Sequence, residues 1–101
     1  MIQEIARIEV KPGEEAAFEA GVAAAAPLFR HAAGCRAMRL NRSHETPGRY
    51  WLIVGWESVE AHLAFRETED FGEWRRLVGG CFAEAPLVEH GIPTEAGFDA
   101  V

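Results

Sequence analysis

No apolar run in this chain approaches the roughly 20 residues that a membrane-spanning helix needs. The alanine-rich stretch near residue 23 is short and flanked by charge, so no membrane partner is expected. The start, Met1-Ile2-Gln3-Glu4-Ile5, has neither a basic opening nor an apolar core and does not read as a secretory signal. Cysteine is scarce. Cys35 and Cys81 do not form a Cys-x-x-Cys pair; a disulfide between them is allowed but unforced, and reduced thiols in a cytoplasmic protein are the expectation. Basic residues are outnumbered 10 to 16, leaving a net charge of −6, and only Arg75 and Arg76 are adjacent. No basic stripe exists to follow a phosphate backbone, so no nucleic-acid partner is expected. There is no glycine-rich phosphate loop, no histidine pair at metal spacing with a carboxylate, and no Gly-x-Ser-x-Gly elbow. A Rossmann-type nicotinamide or flavin site is excluded by length and topology. The expectation is a chain with no cofactor and no metal.

What the chain does have is apolar material. It is 49% hydrophobic, far above a disordered composition, and its 101 residues suit one domain. A domain of that size buries roughly 65% of its unfolded surface, enough for one core.

Ile2, Ala6, Ile8 and Val10 share one side of a first strand, opposite Gln3, Ile5, Arg7 and Glu9. Lys11-Pro12-Gly13 ends it. Phe18, Val22, Ala25, Phe29 and Ala32 follow at helical spacing, with Pro27 expected to kink or split the helix and Gly34 to close it. Cys35 to Asn41 reads as a second strand, and a loop around Pro47-Gly48 leads to a third from Tyr50 to Trp56. Ser58 and Thr68 suit the N-caps of two further helical segments, the second carrying Phe71, Trp74, Val78 and Cys81. Pro86 to Gly91 is a short last strand. The order β-α-β-β-α-β, with its second helix broken in two, is the split βαβ pattern of an α+β ferredoxin-like domain. One antiparallel sheet with helices on one face is expected over residues 1–91, followed by a tail over 92–101. The third strand is apolar on both sides: Tyr50, Leu52, Val54 and Trp56 point one way, Trp51 and Ile53 the other. No element is left to cover the second face, so a second copy of the chain is the expected partner.

Two histidines are candidates for chemistry. His62 lies on the helix side shared by Val59, Leu63 and Arg66, at or beside the core. It is either a half-buried ring bonded to a backbone carbonyl or a base or hydrogen-bond donor in a pocket. His90 alternates with Val88 on the last strand and approaches the same space if that face looks at the helices; otherwise it is an edge or interface residue. His31 sits at a helix end and His44 in a loop, and neither points to a function. Trp51, Trp56 and Trp74 are core material first and ligand platform second. Arg39, Arg66 and Arg75 are either solvated or placed to hold a carboxylate or phenolate.

Arg49-Tyr50 leading to Trp56-Glu57-Ser58, then Glu60-Ala61-His62, Phe71 and Val88-Glu89-His90, resembles the antibiotic biosynthesis monooxygenase family, as does the Gly34-Cys35 start of the second strand. The resemblance runs over nearly all of residues 1–91. It implies a dimeric α/β barrel in which two sheets pack face to face. Several members of that family oxygenate polycyclic aromatic polyketides without metal or prosthetic group, and relatives degrade haem. Counting from Trp56, the essential tryptophan of the haem-degrading branch falls at Phe65 and its ligating histidine at Arg75, which argues against that branch. The resemblance therefore implies a cofactor-independent monooxygenase acting on a small aromatic, phenolic or polyketide-like substrate. In that reading His62 or His90 is the base, Arg66 or Arg75 holds the anion, and Trp51, Phe65 and Trp74 wall the pocket. The alternatives are a non-catalytic dimer that binds a small hydrophobic ligand, and an isomerase or lyase that uses the same histidine without oxygen.

Overall fold

The computed structural model describes residues 1–99. Four strands, β1 (Ile2–Glu9), β2 (Cys35–Arg42), β3 (Arg49–Trp56) and β4 (Leu87–Gly91), form one antiparallel sheet in the order β2-β3-β1-β4. Three helices, α1 (Glu15–Arg30), α2 (Val59–Phe65) and α3 (Glu69–Val78), are joined to β4 through a 3₁₀ turn at Gly79–Cys81. This is the ferredoxin-like α+β arrangement. The central strands β1 and β3 pair from Ile2 opposite Trp56 to Glu9 opposite Arg49.

That register decides which side chains face the helices. Ala6, Ile8, Tyr50, Leu52, Val54 and Trp56 are all buried on the inner face. They meet Phe18, Val22, Ala25 and Phe29 of α1 and Trp74 and Val78 of α3, which form the other half of the core. Gly21 allows α1 and α3 to approach closely, since a Cβ there would stand 2.8 Å from the Leu77 carbonyl oxygen.

Pro27 does not split α1. It lies in the last turn, where its missing N–H costs one backbone bond, and the helix continues to Arg30, with His31 N–H donating to the Pro27 carbonyl. Gly34 does not cap the helix directly either, because His31 holds the C-cap position. Gly34 instead turns the chain into β2 with a φ of +81°, and its carbonyl accepts from Glu57 N–H, which fixes the approach to α2.

Both expected caps are present. Ser58 Oγ accepts from Ala61 N–H, and Thr68 Oγ1 accepts from Phe71 N–H. Thr68 Oγ1 also donates to the Phe65 carbonyl at 2.6 Å, which fixes the break between α2 and α3. Cys35 and Cys81 are free. Beyond Gly91, residues 92–99 carry no regular element, with Ile92 and Phe98 exposed. The last two residues of the expected tail lie outside the described residues. Among the described residues no helix is long and apolar enough to cross a membrane, and no group of three metal-ligating side chains occurs.

Candidate active site

A cavity of about 550 Å³ opens between the inner face of the sheet, α2, α3 and the segment that leads into β4. Ala6, Ile8, Leu52, Phe71, Trp74 and Val88 supply an apolar wall. Glu4, His62, Arg66, Arg75 and Glu84 supply the ionisable groups. Such a lining, apolar with a few convergent charges, suits a small organic molecule with one anionic end.

At one end of the cavity lies a chain of polar groups in contact. β1 carries Glu4 on the inward side, in the same alternation as Ala6 and Ile8, and only 7% of it is exposed. Across the ladder, Trp56 ends β3 and donates its indole Nε1–H to Glu4 Oε1 at 3.0 Å. His62 stands on α2 and stacks on Trp56, with ring centroids 5.4 Å apart. Its Nε2 is 3.2 Å from the same Glu4 oxygen, and its Nδ1 is 2.8 Å from Nε2 of His90. His90 reaches that position because β4 pairs it directly with Glu4. Two turns of sequence logic therefore converge: strand parity points Glu4 and His90 inward, and the Ser58 cap starts α2 where its first full turn lays His62 over Trp56.

Burial acts on both members of the Glu4–His62 contact, and always against charge. It pushes the Glu4 carboxyl above its usual range, against the Trp56 hydrogen bond and the nearby Arg66 charge. It pulls His62 down to about 4, helped by His90 and Arg66. His62 is therefore a neutral imidazole at pH 7. With both ring nitrogens facing neighbours in the protein, it is poised to pass a proton along rather than to meet a ligand alone.

The expected site residues divide into two groups. His62, Arg66, Trp74 and Arg75 line the cavity, and His90 joins through His62. Trp51 does not line it. It sits opposite Arg7 on β3, and strand alternation turns it to the outer face of the sheet. Phe65 is not in the lining either; it is buried among Phe29, Trp56 and Phe71 and supports the wall from behind. Leu63 was expected on the core side with His62 but is 46% exposed. α2 is only about two turns long, and it buries only the His62 and Phe65 positions. Glu4 is the residue that sequence reasoning missed. Its signal was available: it falls on the Ile2-Ala6-Ile8 side of β1, and a carboxylate on an apolar strand face needs a reason.

The family model described as antibiotic biosynthesis monooxygenase matches residues 1–77. An uncharacterized protein of Bacillus subtilis, YczJ, is 33% identical over 91 residues, covering 89% of this chain and 96% of that one. Among solved structures, a candidate antibiotic biosynthesis monooxygenase from Bordetella bronchiseptica is 57% identical with a TM-score of 0.91, over 92% of this chain and 96% of that one. A second such candidate, from Caulobacter crescentus, is 26% identical with a TM-score of 0.82, over 93% and 90% of the two chains. Rv0793 of Mycobacterium tuberculosis is likewise 26% identical, with a TM-score of 0.78 over 95% and 98%. By the reach of the family match and the identity to these relatives, the chain belongs to the antibiotic biosynthesis monooxygenase family.

Proposed function

We propose that the protein is a cofactor-independent monooxygenase that oxidises a small aromatic substrate at an acidic methylene or its phenolic tautomer. The observation that carries this reading is one cavity holding an apolar wall, two arginines and a buried carboxylate–histidine chain. Ground-state dioxygen is a triplet and reacts slowly with closed-shell molecules. A substrate carbanion or phenolate escapes that restriction by giving up one electron. The net reaction balances as R₂CH₂ + O₂ → R₂C=O + H₂O. A C–H proton leaves, the carbanion and oxygen form a C–O bond, the resulting peroxide takes up a proton, and its O–O bond breaks with loss of water.

The side chains have separable tasks in this scheme. Arg66 and Arg75 hold the anion as it forms, and Trp74, Phe71 and Leu52 exclude water from it. A proton acceptor is supplied from the Glu4–His62–His90 chain. Oxygen uptake with a panel of two- and three-ring phenols and benzylic ketones tests the reading. Uptake matched one to one by carbonyl product is expected, and no uptake with any of them contradicts it.

The histidine pair also favours a second reading, proton transfer without oxygen, as in an isomerase or lyase. Product formation that proceeds at an unchanged rate under nitrogen would select it.

The same proposal includes a homodimer, with residues 1–91 as its domain and residues 92–101 as an appended tail. The outer sheet face presents Ile5, Trp51 and Ile53 in one patch, with Leu87 66% exposed beside it. A second copy of that face is its natural cover. Free Cys35 and Cys81 fit a reducing, cytoplasmic setting. Trp51→Glu should weaken self-association at least tenfold in sedimentation, and a wild-type protein that is monomeric at micromolar concentration would refute the dimer.

A further inference from the structure

We propose that Glu4 is the group that takes the substrate proton, and that His62 and His90 form the wire that exchanges this proton with solvent. The inference rests on the oxygenase reading for its substrate, a small aromatic carbon acid, but not on the oxygen step.

The geometry separates the two carboxylate oxygens of Glu4. Oε1 is occupied: it accepts from Trp56 Nε1–H at 3.0 Å and lies 3.2 Å from His62 Nε2. Oε2 takes no hydrogen bond from any described residue, and among the described residues no fully buried side-chain nitrogen or oxygen lacks a partner. Oε2 is therefore not fully buried, and it is the oxygen left free in a residue that lines the cavity. A substrate C–H aimed at Oε2 meets an oxygen with a free lone pair in a low-dielectric wall. His62 offers no such atom, because its Nδ1 faces His90 and its Nε2 faces Glu4.

The wire follows from the same distances. In one arrangement Glu4 is ionised, His62 carries its proton on Nε2, and His90 carries two protons and donates Nε2–H to His62 Nδ1. In the other Glu4 is protonated on Oε1, His62 carries its proton on Nδ1, and His90, which keeps only its Nδ1 proton, accepts through Nε2. Two short proton shifts interconvert them, with no atom moving far. Once the carboxyl turns to present the substrate proton from Oε1, passage from the second arrangement to the first moves one proton onto His90 Nε2, and the half-buried His90 ring gives up its other proton to water. The step balances as R₂CH₂ + Glu4 carboxylate → R₂CH⁻ + Glu4 carboxylic acid, followed by release of one proton to water through His62 and His90.

Several other charges act on this centre. Arg66 at the end of α2 favours the ionised carboxylate, and Arg66 and Arg75 of α3 both line the cavity where the carbanion forms. Glu84, before β4, opposes them from across the cavity. Burial pushes the Cys35 thiol on β2 up, and the Glu4 charge adds to that shift.

The test is anaerobic exchange of the activated methylene of 2-tetralone in D₂O, followed by proton NMR, so that no oxygen chemistry enters. Wild-type protein should accelerate deuterium incorporation. Glu4→Gln, nearly the same in size, should lower the accelerated rate at least 100-fold while circular dichroism and melting stay those of a folded protein. His90→Gln should lower it about tenfold, and added imidazole should restore it by carrying the proton in place of the lost ring. A merely structural histidine would not be rescued in that way. Wild-type exchange in Glu4→Gln would overturn the role of Glu4, and an unaltered or unrescued His90→Gln would overturn the wire. Exchange that behaves as stated in a protein that never consumes oxygen would leave this inference standing and remove the oxygenase reading.

Discussion

Two carboxylates on opposite ends of the same core receive a hydrogen bond from an aromatic side chain of β3, and they meet opposite fates. At one end Tyr50 Oη donates to Glu19 Oε2 at 2.6 Å; at the other Trp56 Nε1 donates to Glu4 Oε1 at 3.0 Å. Glu19 is also gripped by Arg42, whose Nε and Nη2 reach its two oxygens at 2.9 Å each. That fork and the Tyr50 hydroxyl hold the Glu19 carboxyl below its usual range. The Tyr50 hydroxyl is in turn pushed up to about 12, by burial and by Glu19. Every lone pair that matters is spoken for, and the cluster is locked. Glu4 has no such fork. Arg66 acts on it only through space, its side chain is 10% exposed against 35% for Glu19, and burial drives its carboxyl upward. A buried carboxylate beside a neutral histidine, with one oxygen left toward a cavity, is a group kept ready to change its protonation state. The lesson is that the aromatic donor alone does not distinguish a structural carboxylate from a working one. The missing guanidinium does.

The largest expected break in this comparison is in turnover. With a substrate identified by oxygen uptake, Glu4→Gln should reduce kcat by roughly 10²- to 10⁴-fold, the range for loss of a general base. Glu19→Gln should leave kcat within about threefold of wild type. Equal losses in the two variants, measured in the same assay, would erase the distinction between the ends.

The next effect is on stability against pH. Folded His62 has its pKa lowered to about 4, against an ordinary 6.5 in the unfolded chain. Between those values the unfolded state binds the proton that the folded state refuses, so this contribution is intact above pH 6.5 and is lost as pH falls toward 4. A shift of this size amounts to about 3 kcal/mol at most. Glu4 acts with the opposite sign, since a raised carboxyl pKa stabilises the fold at low pH and loses that benefit as pH rises through the shifted value. The His62 contribution is therefore best read in a Glu4→Gln background. There, melting should drop from pH 7 to pH 4 more steeply than in Glu4→Gln/His62→Gln. Parallel curves for the two proteins would contradict the lowered His62 value.

A smaller contrast separates the two aromatic donors. Trp56→Phe removes the bond to a buried carboxylate and leaves a gap in the core, at a cost of about 2–3 kcal/mol. Tyr50→Phe removes a bond to a carboxylate still held by Arg42, at a cost of about 1 kcal/mol. Denaturant midpoints of the two variants measure the order. Equal in size to the Tyr50 effect is that of Ser58→Ala, which should cost about 1 kcal/mol by uncapping α2 and should loosen His62 along with it.

Much of the fold was legible in the residues because its signals are local. Ser58 and Thr68 announced the two helical segments, and alternation along Tyr50–Trp56 divided that strand into two faces. Pro27 misled because its effect depends on distance from the helix end, which spacing alone did not fix. Leu63 misled because helical spacing does not say how little of a seven-residue helix touches the sheet. The site was half legible. His62 and His90 were visible as inward histidines, and Arg66, Trp74 and Arg75 as their neighbours. Glu4 carries no such local sign, since its meaning depends on His90 being its ladder partner on β4 and on Trp56 standing two residues beyond its partner Val54 on β3. Trp51 shares its parity with Ile53, which places it on the other face from Leu52 and Trp56 and away from the cavity. Pairing across a sheet is a long-range fact that local residue patterns do not carry.

The most direct measurement is the ionisation of the two carboxyl groups themselves. Carbon-13 NMR of selectively labelled glutamate side chains, assigned with Glu4→Gln and Glu19→Gln, follows each through an acid titration. Glu4 should titrate above the usual 4.5 and Glu19 below it. A Glu4 that titrates at or below Glu19 would contradict the claim that the cavity end of this core is the end held ready for proton transfer.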